Sequence, residues 1–179
     1  DQCWFAENLR SENYENGDAI PSNLSEGEWA NTGAVTVYNE DASFLETYGR
    51  LDNWHAVNDA RGLCPSGWHV PTDGEWTILT DHLGGESVAG GQMKANDGWF
   101  NGGNGTNSSG FSGLPGGYRW YNGYFYSVTG VGAWWSSSPN TCDGSFAWYR
   151  RLSYEDETVP RYDTYLRAGF SVRCVRDAE

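Results

Sequence analysis

Positive charge is scarce. Eleven Lys and Arg stand against 24 Asp and Glu, for a formal net charge of −13. Nucleic-acid binding rests on neutralising phosphates, so this balance argues against it, and equally against an anionic membrane surface. Long apolar runs are missing as well, which excludes a spanning helix and direct membrane insertion by one. Histidine is limited to His55, His69 and His82, none at metal-ligand spacing from another His or Cys. His69, in an apolar stretch, reads as a structural residue. No C-x-x-C pair occurs, against zinc or thioredoxin-like chemistry. G-x-S-x-G, H-E-x-x-H and a phosphate loop are all lacking. The adjacent acids in Tyr154-Glu155-Asp156-Glu157 read as a solvated loop, because general acid/base work needs a second group and a pocket. No catalytic residue, no metal site and no enzyme activity are therefore expected. Nor is a cofactor, although a structural Ca²⁺ is kept as an alternative despite the absence of a D-x-D-x-D-G loop.

Aromatics are what the chain does have. Ten Trp, eleven Tyr and seven Phe must supply much of the core, since there is one Met and each ring buries a large area. The 24 glycines imply many turns and close backbone approaches. Both features point to one α+β domain, rich in strands and loops, over the 179 residues. The chain opens in strand-like sequence at Cys3-Trp4-Phe5 with no visible signal peptide, as a processed protein or one domain of a longer one would. The four cysteines are far apart, which fits one or two disulfides in an oxidising compartment or buried free thiols. Cys64 with Cys174 is the favoured pair; Cys3 and Cys142 are left open.

The clearest helix follows Pro71. Thr72 and Glu75 make a capping box, Gly84-Gly85 ends the run, and Trp76, Leu79 and Leu83 share a face. A short helical turn is expected near Ser25 to Trp29, within a polar excursion from Asn13 to Val35. Residues 48–57 are ambiguous between strand and helix. Asn122-Gly123 between aromatic runs predicts a hairpin with a type I′ turn. Phe170, Val172 and Cys174 alternate with Ser171 and Arg173 as a half-buried strand would. Between Tyr149 and Tyr165, by contrast, tyrosines, acids and arginines follow neither period. Tyrosine with Ser, Thr and Asp is the composition of a recognition surface, where rigid amphipathic rings bind at low entropic cost.

Six stretches in order, "CWFAENLR", "YGRLDNW", "ARGLCPSGWHVPTDGEW", "GFSGLPGGYR", "WWSSS" and "GFSVRCVRD", resemble the Fibrobacter succinogenes major paralogous domain. "WHVPTDGEW" is also similar to the signature of formylglycine-generating-enzyme-like domains. Both resemblances imply a C-type lectin fold: antiparallel sheets with few helices, long loops, and paired N- and C-terminal strands. Many such domains are variable proteins of diversity-generating retroelements, in which a reverse transcriptase rewrites codons at adenines near the 3′ end of the gene. By that resemblance the variable ligand-binding region spans about residues 138–168. Ala147, Trp148, Leu152, Val159, Gly169, Phe170 and Cys174 would be scaffold. Ser145, Phe146, Tyr149, Arg151, Ser153, Asp156, Thr158, Tyr162, Asp163, Thr164 and Tyr165 could each descend from an Asn codon; Glu155 and Glu157 would need Lys-type codons. Ser145 through Tyr165 of this set, with Glu155, form the expected binding face. Tyr149, Tyr162 and Tyr165 would be its anchors, Arg151, Asp156 and Asp163 its charges, and Ser153 and Thr164 its polar contacts. Formylglycine-generating enzymes depend on two cysteines close in sequence; the nearest pair here is Cys142 and Cys174, so that activity is not carried over.

The resulting expectation is a non-enzymatic receptor or surface-recognition domain, extracellular, at a cell surface or on a virion. Its partner would be a protein or cell-surface ligand. A carbohydrate-binding or adhesin domain without diversification is the alternative.

Overall fold

The computed structural model describes residues 2–142 and 144–178. Asp1 and Glu179, at the limits of the expected domain, and Asp143, within the expected variable region, lie outside the described residues. The strands in chain order are β1 (Gln2–Trp4), β2 (Val35–Thr36), β3 (Leu51–Asn53), β4 (Gly116–Arg119), β5 (Phe125–Val128), β6 (Val131–Asn140), β7 (Phe146–Ser153), β8 (Arg161–Tyr165), β9 (Gly169–Phe170) and β10 (Val175–Asp177). Five short helices join them: α1 (Glu26–Trp29), α2 (Leu45–Tyr48), α3 (Trp54–Val57), α4 (Asp73–His82) and α5 (Ala89–Met93). The class is α+β.

The terminal strands pair as expected, with Gln2 opposite Asp177 and Trp4 opposite Val175. The other strands form one sheet in the order β2-β3-β9-β4-β6-β7-β8, with β5 attached to β4. The named strands pair antiparallel except β4 with β6, which meet in parallel at Gly117 and Gly132. The ambiguous stretch resolves into both states, β3 running directly into α3, whose N-cap Asn53 accepts from the amide of Ala56 at 3.1 Å.

Helix α4 forms where its caps direct it. Thr72 Oγ1 accepts from the Glu75 amide at 3.2 Å, and Glu75 returns a bond to the Thr72 amide at 2.7 Å. Gly84 and Gly85, both at φ 98°, terminate it. Trp76 is fully buried and donates its indole N–H to the Trp135 carbonyl at 3.3 Å. α1 is built the same way, on a Ser25–Glu28 capping box.

Alternation along β6 splits two adjacent tryptophans between two cores. Trp134 enters a cluster with Trp76, Met93, Phe111 and Leu152 under α4. Trp135 enters another with Trp54, Tyr149, Phe170, Cys64 and Cys174. The Cys64–Cys174 disulfide forms, while Cys3 and Cys142 remain free thiols. A disulfide of this kind points to a non-cytoplasmic compartment. Among the described residues no helix is long and apolar enough to cross a membrane.

The half-buried strand expected at Phe170–Cys174 is corrected. β9 ends at Phe170 and β10 begins only at Val175, and residues 170 to 175 are all buried. The polar members turn inward rather than to water. Ser171 Oγ accepts from Asn8 Nδ2 at 3.2 Å, and Arg173 donates to Asn8 Oδ1 at 2.8 Å and to the Phe111 carbonyl. The Arg173 guanidinium also lies 4.0 Å from the Phe111 ring centroid, which offsets part of the cost of burying a charge.

Candidate aromatic recognition cleft

The hairpin of β4 and β5 forms around Asn122-Gly123, but not through a type I′ turn. Gly123 alone of the pair has positive φ (88°), and its amide bonds the Trp120 carbonyl at 3.0 Å. Trp120 then pairs with Tyr124 at 2.8 Å, the three-residue loop in which a turn is closed by a left-handed glycine. The expected turn needs positive φ at Asn122 too, and the longer loop relieves that requirement. One product is a row of rings: Tyr118 lies 5.5 Å from Trp120 and 6.0 Å from Tyr126, and Trp120 lies 5.2 Å from Tyr121.

That row faces β7. Tyr118, Trp120, Tyr149 and Phe170 surround a cavity of about 240 Å³ that Val131, Ala133 and Arg151 complete. Tyr149 stacks on Phe170 at 4.4 Å and meets Tyr162 at 5.9 Å. Burial pushes the Tyr149 phenol up to about 12, so it stays neutral at the cleft wall. Val131 and Arg151 also line a second cavity, of about 410 Å³, with Phe100, Ser153, Tyr154 and Glu155. The two cavities thus adjoin across Arg151. Its guanidinium makes no hydrogen bond or ion pair among the described residues and acts electrostatically on Tyr149 and Asp156.

The loop from Ser153 to Val159, between β7 and β8, is fixed through its main chain. The Tyr154 amide bonds Gly130 O (2.9 Å), the Glu157 carbonyl accepts from the Gly90 amide (2.8 Å), and the Val159 amide bonds Glu86 O (2.8 Å). Lys94, almost fully buried, donates Nζ to the carbonyls of Ser153 and Asp156 at 3.1 and 2.8 Å. Burial lowers its pKa, with Asp156 and Glu157 acting the other way. Gly90 and Gly103 allow the approach: a Cβ on Gly90 would stand 2.6 Å from the Glu157 carbonyl, and one on Gly103 would overlap Tyr154. From below, Arg150 ties β7 to α4 through Asp73 (3.1 Å) and Thr77 (3.0 Å), and to the turn after α4 through Glu86.

The expected site residues divide. Tyr162, Arg151 and Glu155 lie along the two cavities or their rim. Tyr165 stacks on Phe146 at 4.6 Å and reaches Tyr121 at 4.9 Å, at the hairpin tip. Asp163 accepts from Asn140 at 2.6 Å, and Asp156 from the Thr158 amide and hydroxyl at 2.8 and 2.6 Å. Ser145 is exposed, and its carbonyl accepts from the Leu166 amide at 3.3 Å. Tyr149, Ser153 and Thr164 were expected at the surface and are instead buried. β7 is covered on both faces, by α4 and by Phe170, so an alternating strand there has no fully wet side. Nor is there one common face: the register sets Tyr162 and Thr164 with Tyr149 and Ala147, and Arg161, Asp163 and Tyr165 on the other side. Of the scaffold assignments, Ala147, Leu152, Val159, Phe170 and Cys174 are buried, while Trp148 is half-exposed beneath the Arg161 guanidinium at 3.4 Å.

Sequence reasoning missed the hairpin's share. Tyr118 and Trp120 supply one wall of the cleft, with Tyr126 and Tyr121 packed beside them, and the aromatic density on both sides of Asn122-Gly123 was the available signal. Among the described residues no group of three or more His, Cys, Asp or Glu could hold a metal ion.

The model of the Fibrobacter succinogenes major domain family matches residues 1–176. Comparison with curated proteins returns no match.

Proposed function

The chain belongs to the Fibrobacter succinogenes major domain family, and from that premise we propose that it is a non-enzymatic recognition domain of the C-type lectin fold. It acts outside the cell, at a cell surface or on a virion, and binds a protein or cell-surface ligand. The ligand meets the aromatic cleft, the 153–159 loop and the exposed side chains of β8. Tyr162 and Tyr165 are the anchors, with Tyr149 as a buried wall behind Tyr162. Arg151, Asp156 and Asp163 set electrostatic complementarity.

The observation that carries this reading is the main-chain anchoring of the 153–159 loop. Bonds to carbonyls and amides do not depend on which side chain a residue bears. Glu155 can therefore change freely, and a change at Asp156 or Thr158 removes only the bonds between those two residues while the main-chain anchors stay in place, as a diversified binding face requires. The test is a library randomised at Arg151, Glu155, Asp156, Thr158, Tyr162, Asp163 and Tyr165. Most members should resist protease as the parent does, and selection on immobilised protein targets should yield binders. A library that is largely unfolded would sink the proposal. The diversified status has its own test: a reverse transcriptase gene nearby, with a second copy of the 3′ segment differing only at adenines.

The aromatic cleft also supports a second reading, since rings such as Tyr118 and Trp120 can stack on sugars. Glycan-array binding abolished by mutation of these two residues would favour it.

A further inference from the structure

β8 is the outer strand of the large sheet, with β7 as its one neighbour among the described residues. Opposed residues in an antiparallel pair alternate between exchanging two hydrogen bonds and exchanging none. The Arg151 amide bonds the Pro160 carbonyl at 3.3 Å, and the Leu166 amide bonds the Ser145 carbonyl at 3.3 Å. The intervening pairs in step with them are Tyr149–Tyr162 and Ala147–Thr164. Tyr162 and Thr164 therefore spend their main-chain groups on β7. Arg161, Asp163 and Tyr165 point theirs the other way. The Tyr165 carbonyl is taken by the Ala168 amide at 2.9 Å. Among the described residues, that leaves the amides of all three and the carbonyls of Arg161 and Asp163 along an open edge.

Exposed edges are normally blunted by bulges, prolines or projecting charges. β8 pairs with β7 over five consecutive residues without a bulge, and Pro160 stands just before it. Its charged side chains are engaged although exposed: Arg161 lies on Trp148 and pairs with Asp73 at 2.8 Å, and Asp163 accepts from Asn140 through Oδ2 alone. Tyr162 and Tyr165 are 43% and 39% exposed, which gives the edge apolar area as well as free hydrogen-bonding groups.

We propose that the open edge of β8 receives an extended, positively charged peptide segment of a partner protein, which adds a strand to the sheet. This rests on the recognition reading above and names its ligand class. Main-chain bonds to Arg161 and Asp163 would supply affinity, and alternate side chains specificity. Side chains on one face of the added strand meet Tyr162 beside the cleft; those on the other meet Asp163, whose Oδ1 can take a Lys or Arg, while Arg161 on the same face is already paired with Asp73. The net charge of −13 favours a cationic segment and opposes a second copy of this chain at the same edge.

Two displayed libraries, one of random linear peptides and one of folded domains, are selected on the wild-type protein. Linear binders should be rich in Lys, Arg and β-formers. On binding they should slow amide exchange at Arg161 and Asp163, which exchange faster than Tyr162 and Thr164 in the free protein. Asp163→Pro removes an outward amide and should weaken these peptides at least about tenfold, with melting little changed. Should that variant fail to fold, Asp163→Lys keeps the backbone and should weaken the same peptides about tenfold by repulsion. Peptides that protect no β8 amide, or that bind both variants undiminished, overturn the inference, as does dimerisation of the chain through β8. Binders found among folded domains alone overturn it and leave the recognition reading standing. No binders from either library would defeat both.

Discussion

The ammonium of Lys94 lies 2.8 Å from the main-chain carbonyl of Asp156, in a position almost closed to solvent. It holds a loop whose acidic side chains point outward, and it does so without touching them. Lys94→Met should leave the Ser153 and Asp156 carbonyls short of a donor, costing about 2–4 kcal/mol in urea unfolding. Faster amide exchange should be confined to residues 153–159 and their immediate contacts. Glu155→Ala, at an exposed position of the same loop, should change stability by less than about 0.5 kcal/mol. Equal costs for the two changes would refute backbone anchoring.

Tyr149 and Tyr162 are neighbours 5.9 Å apart with different duties. Tyr149 is 8% exposed and packed on Phe170; Tyr162 is 43% exposed. Tyr149→Ala should cost about 3–5 kcal/mol, as aromatic deletions from cores do, and Tyr162→Ala less than about 1 kcal/mol. Thermal melting of both variants decides it. A costly Tyr162→Ala would move that ring from the binding face into the core.

Cys64 and Cys174 are 110 residues apart in sequence, and both are buried. Closing so long a loop restricts the unfolded chain heavily, so Cys64→Ala/Cys174→Ala should lose about 2–5 kcal/mol. Removing the free thiols by Cys3→Ser and Cys142→Ser should change unfolding under oxidising and reducing conditions alike by much less.

Asp52 is fully buried on β3, and neither carboxylate oxygen has a hydrogen-bond partner among the described residues. Burial raises its pKa from 3.8 to about 8, against the pull of Arg50. The folded protein therefore keeps this proton over a range where the unfolded chain releases it. The group's contribution to stability is complete below 3.8 and is lost as pH climbs to about 8. Asp52→Asn should remove that slope and leave the variant more stable than the parent at pH 8. Parallel pH profiles for the two proteins would contradict the assignment.

Several features were legible because local chemistry alone determines them. Thr72 and Glu75 cap α4 through their own side chains, and Gly123 enforces a hairpin whichever turn forms. Other features depend on what packs from a distance. Tyr149 reads as a surface residue because tyrosine suits either environment, and its burial comes from Phe170 and Trp135, which arrive from other strands. Ser171 and Arg173 read as solvent-facing for the same reason, and are internal because Asn8 and Phe111 meet them. The cleft was half visible, since its β7 and β8 side has the composition of a binding surface. The hairpin side resembled ordinary aromatic strand sequence until β4 lay beside β6.

The pairing of β1 with β10 and the Cys64–Cys174 bond together govern how the domain bears mechanical load. Gln2 and Asp177 sit side by side, so tension entering through these two strands parts the ribbon one residue pair at a time. Once it reaches Cys174, force passes through the covalent bond to Cys64 and bypasses everything between them. That shielded segment includes α4, the hairpin, the cleft, the 153–159 loop and the edge of β8. Under oxidising conditions a domain stretched between its two terminal strands could lose the ribbon and still keep its binding face folded.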